Sequence, residues 1–95
     1  MRQPDYSGQF KRDVKQSKKR GKDMDKLKVL LGLLIEGEPL PASYLDHPLK
    51  GEWKGFRDAH IEPDWLLIYS KHNATADYPE GILHLELTGT HADLF

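Results

Sequence analysis

The sequence predicts a small α+β domain in which an N-terminal helical hairpin covers one face of an antiparallel sheet, in the order β-α-α-β-β-β. Three patterns predict it. Leu27, Leu30, Leu31 and Leu34 repeat at the i, i+3, i+4, i+7 spacing of an amphipathic helix. Leu83, Leu85 and Leu87 alternate with His84 and Glu86, the period of a half-buried strand. Residues 65–70 are apolar on both parities, as an inner strand requires. At 95 residues the chain forms one domain, 1–95, with a single modest core.

In chain order, residues 2–6 read as a short edge strand ending at Tyr6. Ser7 is placed to cap a helix over Gly8 to Arg20 whose thin apolar seam is Phe10 and Val14. Gly21 ends it, and Asp23 caps a second helix that carries the leucine stripe, Met24 and Ile35 to a stop at Gly37. Pro39 and Pro41 open an irregular linker through Asp46-His47-Pro48, with His47 on a loop. A strand over 55–61 sets Phe56, Asp58 and His60 on one face and Arg57, Ala59 and Ile61 on the other. Glu62-Pro63-Asp64 turns the chain into the inner strand from Trp65. A polar connection over 71–81 then leads to a last strand ending at Gly89.

Charge is unevenly spread. Residues 1–28 hold ten Lys or Arg against four Asp, about +6, and the remainder is about −7, so a net charge of −1 conceals a cationic handle. Lys11, Lys15, Lys18 and Lys19 on the first helix suit a polyanion or an acidic protein, or simply a solvated face. The absence of cysteine excludes disulfides, thiolate metal sites and thiol nucleophiles. No apolar run approaches the ~18–20 residues of a membrane span, so no membrane association is expected and a cytoplasmic location is.

The chemistry concentrates in Asp58 to Tyr69, DAHIEPDWLLIY, where His60, Asp64 and Trp65 stand at the mouth of a buried strand. His47 and His91 fall at other element ends, and gathering them gives imidazoles and a carboxylate suited to proton transfer. Each residue also has a plainer reading: Trp65 as core, His60 and Asp58 as polar groups on an exposed face, Arg57 as ion-pair partner of Asp58 or Glu62, and Phe95 as a frayed end. The histidines lack a tight i, i+4 helical pair, which argues against zinc, and neither metal nor other cofactor is expected.

YSGQF near the start, DMDKLK opening the second helix, DHPLKGEWKGFRDAHIEPDWLLIY and TGTHADLF together resemble the YafQ-type toxins of the RelE superfamily. The resemblance spans nearly the whole chain. It implies a RelE-like domain and a metal-independent endoribonuclease that cleaves mRNA in the translating ribosome. It also implies a cognate DinJ-like antitoxin, with operator DNA bound only through the antitoxin complex. His47, His60, Asp64 and His91 take the catalytic positions in this pattern, and Trp65 and Phe95 match aromatics near the site. Lys54 and Arg57 are RNA-contact candidates, and the four helix lysines are ribosome or antitoxin contacts. Leu87 stands where relatives carry arginine. The alternative is a non-catalytic binding module of the same fold, a corepressor with its antitoxin or a poison of a protein target.

Overall fold

A computed structural model describes residues 1–95. Its elements are β1 (Gln3–Tyr6), α1 (Gly8–Lys19), α2 (Met24–Glu36), β2 (His47–Pro48), β3 (Arg57–Glu62), β4 (Trp65–His72), β5 (Ile82–Gly89) and α3 (His91–Leu94), with 3₁₀ turns at Ala42–Tyr44 and Gly51–Trp53. The strands form one sheet in the order β1-β5-β4-β3-β2.

Both helices begin and end on the residues that sequence chemistry selects. The Ser7 Oγ accepts the Phe10 N–H at 2.9 Å, and Asp23 accepts the Asp25 N–H at 3.0 Å. Gly37 closes α2 at φ 75°, a left-handed cap that glycine adopts without strain. The buried stripe Leu27, Leu30 and Leu34 packs with Phe10 against Ala59, Trp65, Leu67, Tyr69, Leu83 and Leu85 of the sheet. These side chains form the core, the term that offsets most of the chain's ordering entropy.

Four features depart from the expected layout. The sheet is mixed, because β1 runs parallel to β5 with Gln3 opposite Ile82 and Tyr6 opposite Leu85. Pro4, lacking an N–H, sits on this edge strand where no donor is needed on the open side. His47-Pro48 is a strand and not a loop: proline holds the preceding residue extended, and His47 pairs antiparallel with Asp58. The alternation of β5 is broken by a bulge, since Ile68 faces Leu87 while Tyr69 faces Leu85, leaving Glu86 as the extra residue. Leu87 therefore lies on the face opposite Leu83 and Leu85. Finally, the chain closes with the helical turn α3, held by a capping box between Thr90 and Asp93.

The face of the sheet turned away from α2 is not bare. Leu66 and Ile68 on it are fully buried. An aromatic chain crosses this side, with Trp53 edge-on to Phe56 at 5.6 Å and to Phe95 at 6.4 Å, and Phe56 against His84 at 6.3 Å. No helix of the chain is long and apolar enough to cross a membrane.

Candidate functional site

Three histidines from three elements line up at one end of the sheet. β2 supplies His47, β3 supplies His60 and the first turn of α3 supplies His91; ring centroids are 6.2 Å apart for His47 and His60 and 5.8 Å for His60 and His91. The β3–β4 turn through Pro63 places Asp64 beside His91. The four residues expected to carry chemistry are thus adjacent.

Each imidazole is held differently. The His47 Nδ1–H donates to the Leu45 carbonyl at 2.7 Å, which leaves Nε2 toward the site. Leu45 is the one non-glycine residue at positive φ, 49°, a conformation costing about 1–2 kcal/mol that turns its carbonyl to this task. His91 is anchored twice on Asp64 Oδ1, through its backbone N–H at 2.9 Å and its Nδ1–H at 2.6 Å. These two bonds, backbone first, hold the Asp64 carboxyl below its ordinary range. Asp64 is thus bonded to both the backbone and the ring of His91, and is held in the ionised form. The N-terminal turn of α3 is fixed further by Asp93, which accepts the Thr90 N–H at 3.0 Å and pairs with Arg20, the residue that caps the C-terminus of α1, at 2.5 Å. Gly89 lets α3 approach, since a Cβ there would lie 3.0 Å from Asp93.

The carboxylate nearest His60 is one the catalytic reading of the sequence left out. Asp58 Oδ2 stands 3.6 Å from His60 Nε2 and 3.7 Å from His47 Nε2, with its side chain 6% exposed. Burial pushes its carboxyl above the ordinary range, and the three imidazoles oppose that shift. The signal was present as Asp-x-His on one strand face, but its meaning depended on the register that sets His47 opposite Asp58. Lys22 also reaches this region, 5.8 Å above the Trp65 ring and 3.4 Å from Glu62.

The flanking candidates divide. Trp65 is fully buried in the core and donates its indole N–H to Thr88 Oγ1 at 3.0 Å. Arg57 faces away from His60 and makes a forked bond to Asp46, at 3.1 and 3.0 Å, instead of pairing with Asp58 or Glu62. That pair ties the segment before His47 to β3, and Tyr69 adds its hydroxyl at 2.5 Å. Lys54 is exposed beside Trp53, and Phe95 is 61% exposed at the edge of the aromatic chain. Lys11, Lys15, Lys18 and Lys19 all lie exposed on α1.

The family described as bacterial toxin of type II toxin-antitoxin system, YafQ, matches residues 2–95. The mRNA interferase toxin YafQ of Escherichia coli K12 is 56% identical, with all of this chain and 97% of that protein covered. The toxin in the crystal structure of the E. coli DinJ-YafQ toxin-antitoxin complex superposes with a TM-score of 0.84 at 57% identity, over 99% of this chain and 97% of that one. A metal-bound toxin from Helicobacter pylori gives 0.85 at 38% identity over the whole of both chains.

Proposed function

The chain belongs to the YafQ family of bacterial type II toxins, and on that premise we propose that it is an mRNA interferase that cuts RNA by metal-free proton transfer among His47, His60 and His91. RNA carries its own nucleophile. One imidazole takes the proton of the 2′-hydroxyl, the 2′ oxygen bonds to phosphorus, and the P–O5′ bond breaks as a second imidazole protonates the leaving oxygen. Histidine suits both steps because both protonation states are accessible near neutrality. The products are a 2′,3′-cyclic phosphate and a 5′-hydroxyl.

The observation that carries this reading is the double bond from His91 to Asp64 Oδ1. It fixes the ring so that Nε2 is the nitrogen left for substrate, within one ring's reach of His60. A protonated imidazole adjacent to the scissile phosphate also supplies positive charge for the phosphorane, a role Arg57 is badly placed to fill. Exposed Phe95, edge-on to half-buried Trp53, offers an aromatic face for an unstacked base.

An antitoxin of the DinJ type is the partner, by likeness to the E. coli complex. The ribosome and its mRNA are the target, which sets the cytoplasm as the place of action, and operator DNA is reached only through the antitoxin. The test is single-turnover cleavage of mRNA on programmed ribosomes, with and without chelator, for wild type and His91→Ala. Chelator-resistant cleavage that collapses in the variant supports the reading. Cleavage abolished by chelator, or undiminished in the variant, refutes it.

A further inference from the structure

His84 stands near the start of β5, at the other end of that strand from the turn that carries His91, and has no part in the proton transfers above. Its imidazole is held between two carboxylates. Nδ1 donates to Asp5 Oδ2 on β1 at 2.8 Å, and Nε2 donates to Glu86 Oε2 on β5. An ionised carboxylate only accepts, so both ring nitrogens must carry a proton. A neutral imidazole has a single N–H and would turn its bare nitrogen against the second carboxylate. The trio therefore closes only when it holds one proton more than a neutral ring and two ionised acids. Glu86 is also pinned by its backbone: its carbonyl accepts the Ser7 hydroxyl at 2.6 Å, and the Ser7 N–H donates to the Leu85 carbonyl at 3.0 Å. Since Ser7 caps α1, these bonds meet at the joint where β1 passes into that helix.

We propose that Asp5, His84 and Glu86 form a proton-operated latch that fastens β1, and with it the root of the cationic helix α1, to β5. One proton on the ring closes two ionic bonds across this joint, and its loss opens at least one of them. β1 is the edge of the sheet, so no strand on its other side makes up the loss. Asp5 and Glu86 are the charged groups that act on the ring. β4 sets Ser70 opposite it, with the Ser70 hydroxyl bonded to His72, and the segment before β3 sets Phe56 at 6.3 Å. Burial disfavours the charged ring, but the bonds to Asp5 and Glu86 outweigh burial and hold His84 above the ordinary histidine value. A raised folded value means that the latch stabilises fully below the unfolded value of about 6.5 and is lost as pH rises through the folded one. The Glu86 side chain is 30% exposed against 62% for Asp5, which makes Glu86 the firmer partner.

The latch is tested on the full chain without RNA, so its failure is separate from any failure of the cleavage reading. The ring proton of His84, followed by NMR from about pH 6 to pH 9, should titrate with a midpoint above that of a free histidine. Over the same range the protection factor of the Ser7 amide against hydrogen exchange should fall by about tenfold, as the loss of one charge-assisted hydrogen bond implies. His84→Arg keeps two-pronged donation and a charge that does not titrate, so its Ser7 protection should stay level across the range. His84→Gln and Glu86→Gln should melt below wild type at pH 6, with the gap closing as pH rises. A His84 midpoint at or below that of a free histidine overturns the latch. So does a Ser7 protection factor that is independent of pH in wild type, or that falls equally in His84→Arg.

Discussion

A single carboxylate oxygen, Asp64 Oδ1, accepts both the backbone N–H and the ring Nδ1–H of His91, at 2.9 and 2.6 Å. The two residues are 27 positions apart and joined by nothing else so direct. His91→Ala should therefore lower the cleavage rate by ~10²–10⁴-fold, the worth of a positioned acid or base. Asp64→Asn keeps an oxygen acceptor and removes the charge, so its loss should be smaller than that of His91→Ala. Both side chains are exposed, and thermal melts of the two variants should overlay wild type. A rate loss that tracks melting would identify a structural role.

Asp46 predicts a pH-dependent contribution to stability. Burial pushes its carboxyl up, but the bonds from Arg57 and Tyr69 outweigh burial and leave it below its usual range. A depressed folded value means the stabilisation is complete above the unfolded carboxylate range and is lost as pH falls through the folded value. Asp46→Ala leaves a guanidinium and a buried phenol unpaired and should cost ~2–4 kcal/mol in urea unfolding at pH 7. The gap from wild type should narrow steadily below about pH 4. A gap independent of pH would contradict the linkage.

Trp65 and Phe95 should separate stability from RNA contact. Trp65→Phe loses a buried hydrogen bond and volume and should destabilise by about 1.5–3 kcal/mol, with cleavage by the folded fraction unchanged. Phe95→Ala should leave melting alone and raise the ribosome concentration needed for half-maximal cleavage. The opposite pattern would make Trp65 the aromatic that contacts RNA.

The lysines of α1 act at long range. Reversing Lys11, Lys15, Lys18 and Lys19 to Glu should slow association with an acidic antitoxin and flatten its dependence on salt, with dissociation little changed. Stopped-flow association at several ionic strengths measures this. An unaltered on-rate would remove electrostatic steering from the account.

Local patterns were legible in the sequence, and long-range register was not. Ser7, Asp23 and Gly37 marked helix ends because capping is decided within four residues. Leu27, Leu30 and Leu34 of α2 announced their burial by period, and the apolar run of β4 by its composition on both parities. The direction of β1 was hidden, because it depends on a partner 79 positions away. So was the bulge at Glu86, whose carbonyl is tied at 2.6 Å to Ser7. Among site residues, His47, His60, Asp64 and His91 stood out through a family pattern. Asp58 needed the pairing of β2 with β3, whereas Trp65 was already readable as a core residue at the start of β4.

The place of β5 between β1 and β4 has a consequence for synthesis. During translation, every residue through β4 is made while β1 has no strand to join and the sheet has an open gap beside Tyr69. β5 closes that gap, and the turn carrying His91 follows it directly. Non-local closure of this kind is slow and comes late. A nascent chain that stalls before residue 82 thus holds neither a finished core nor the last imidazole, so an aborted message yields no poison.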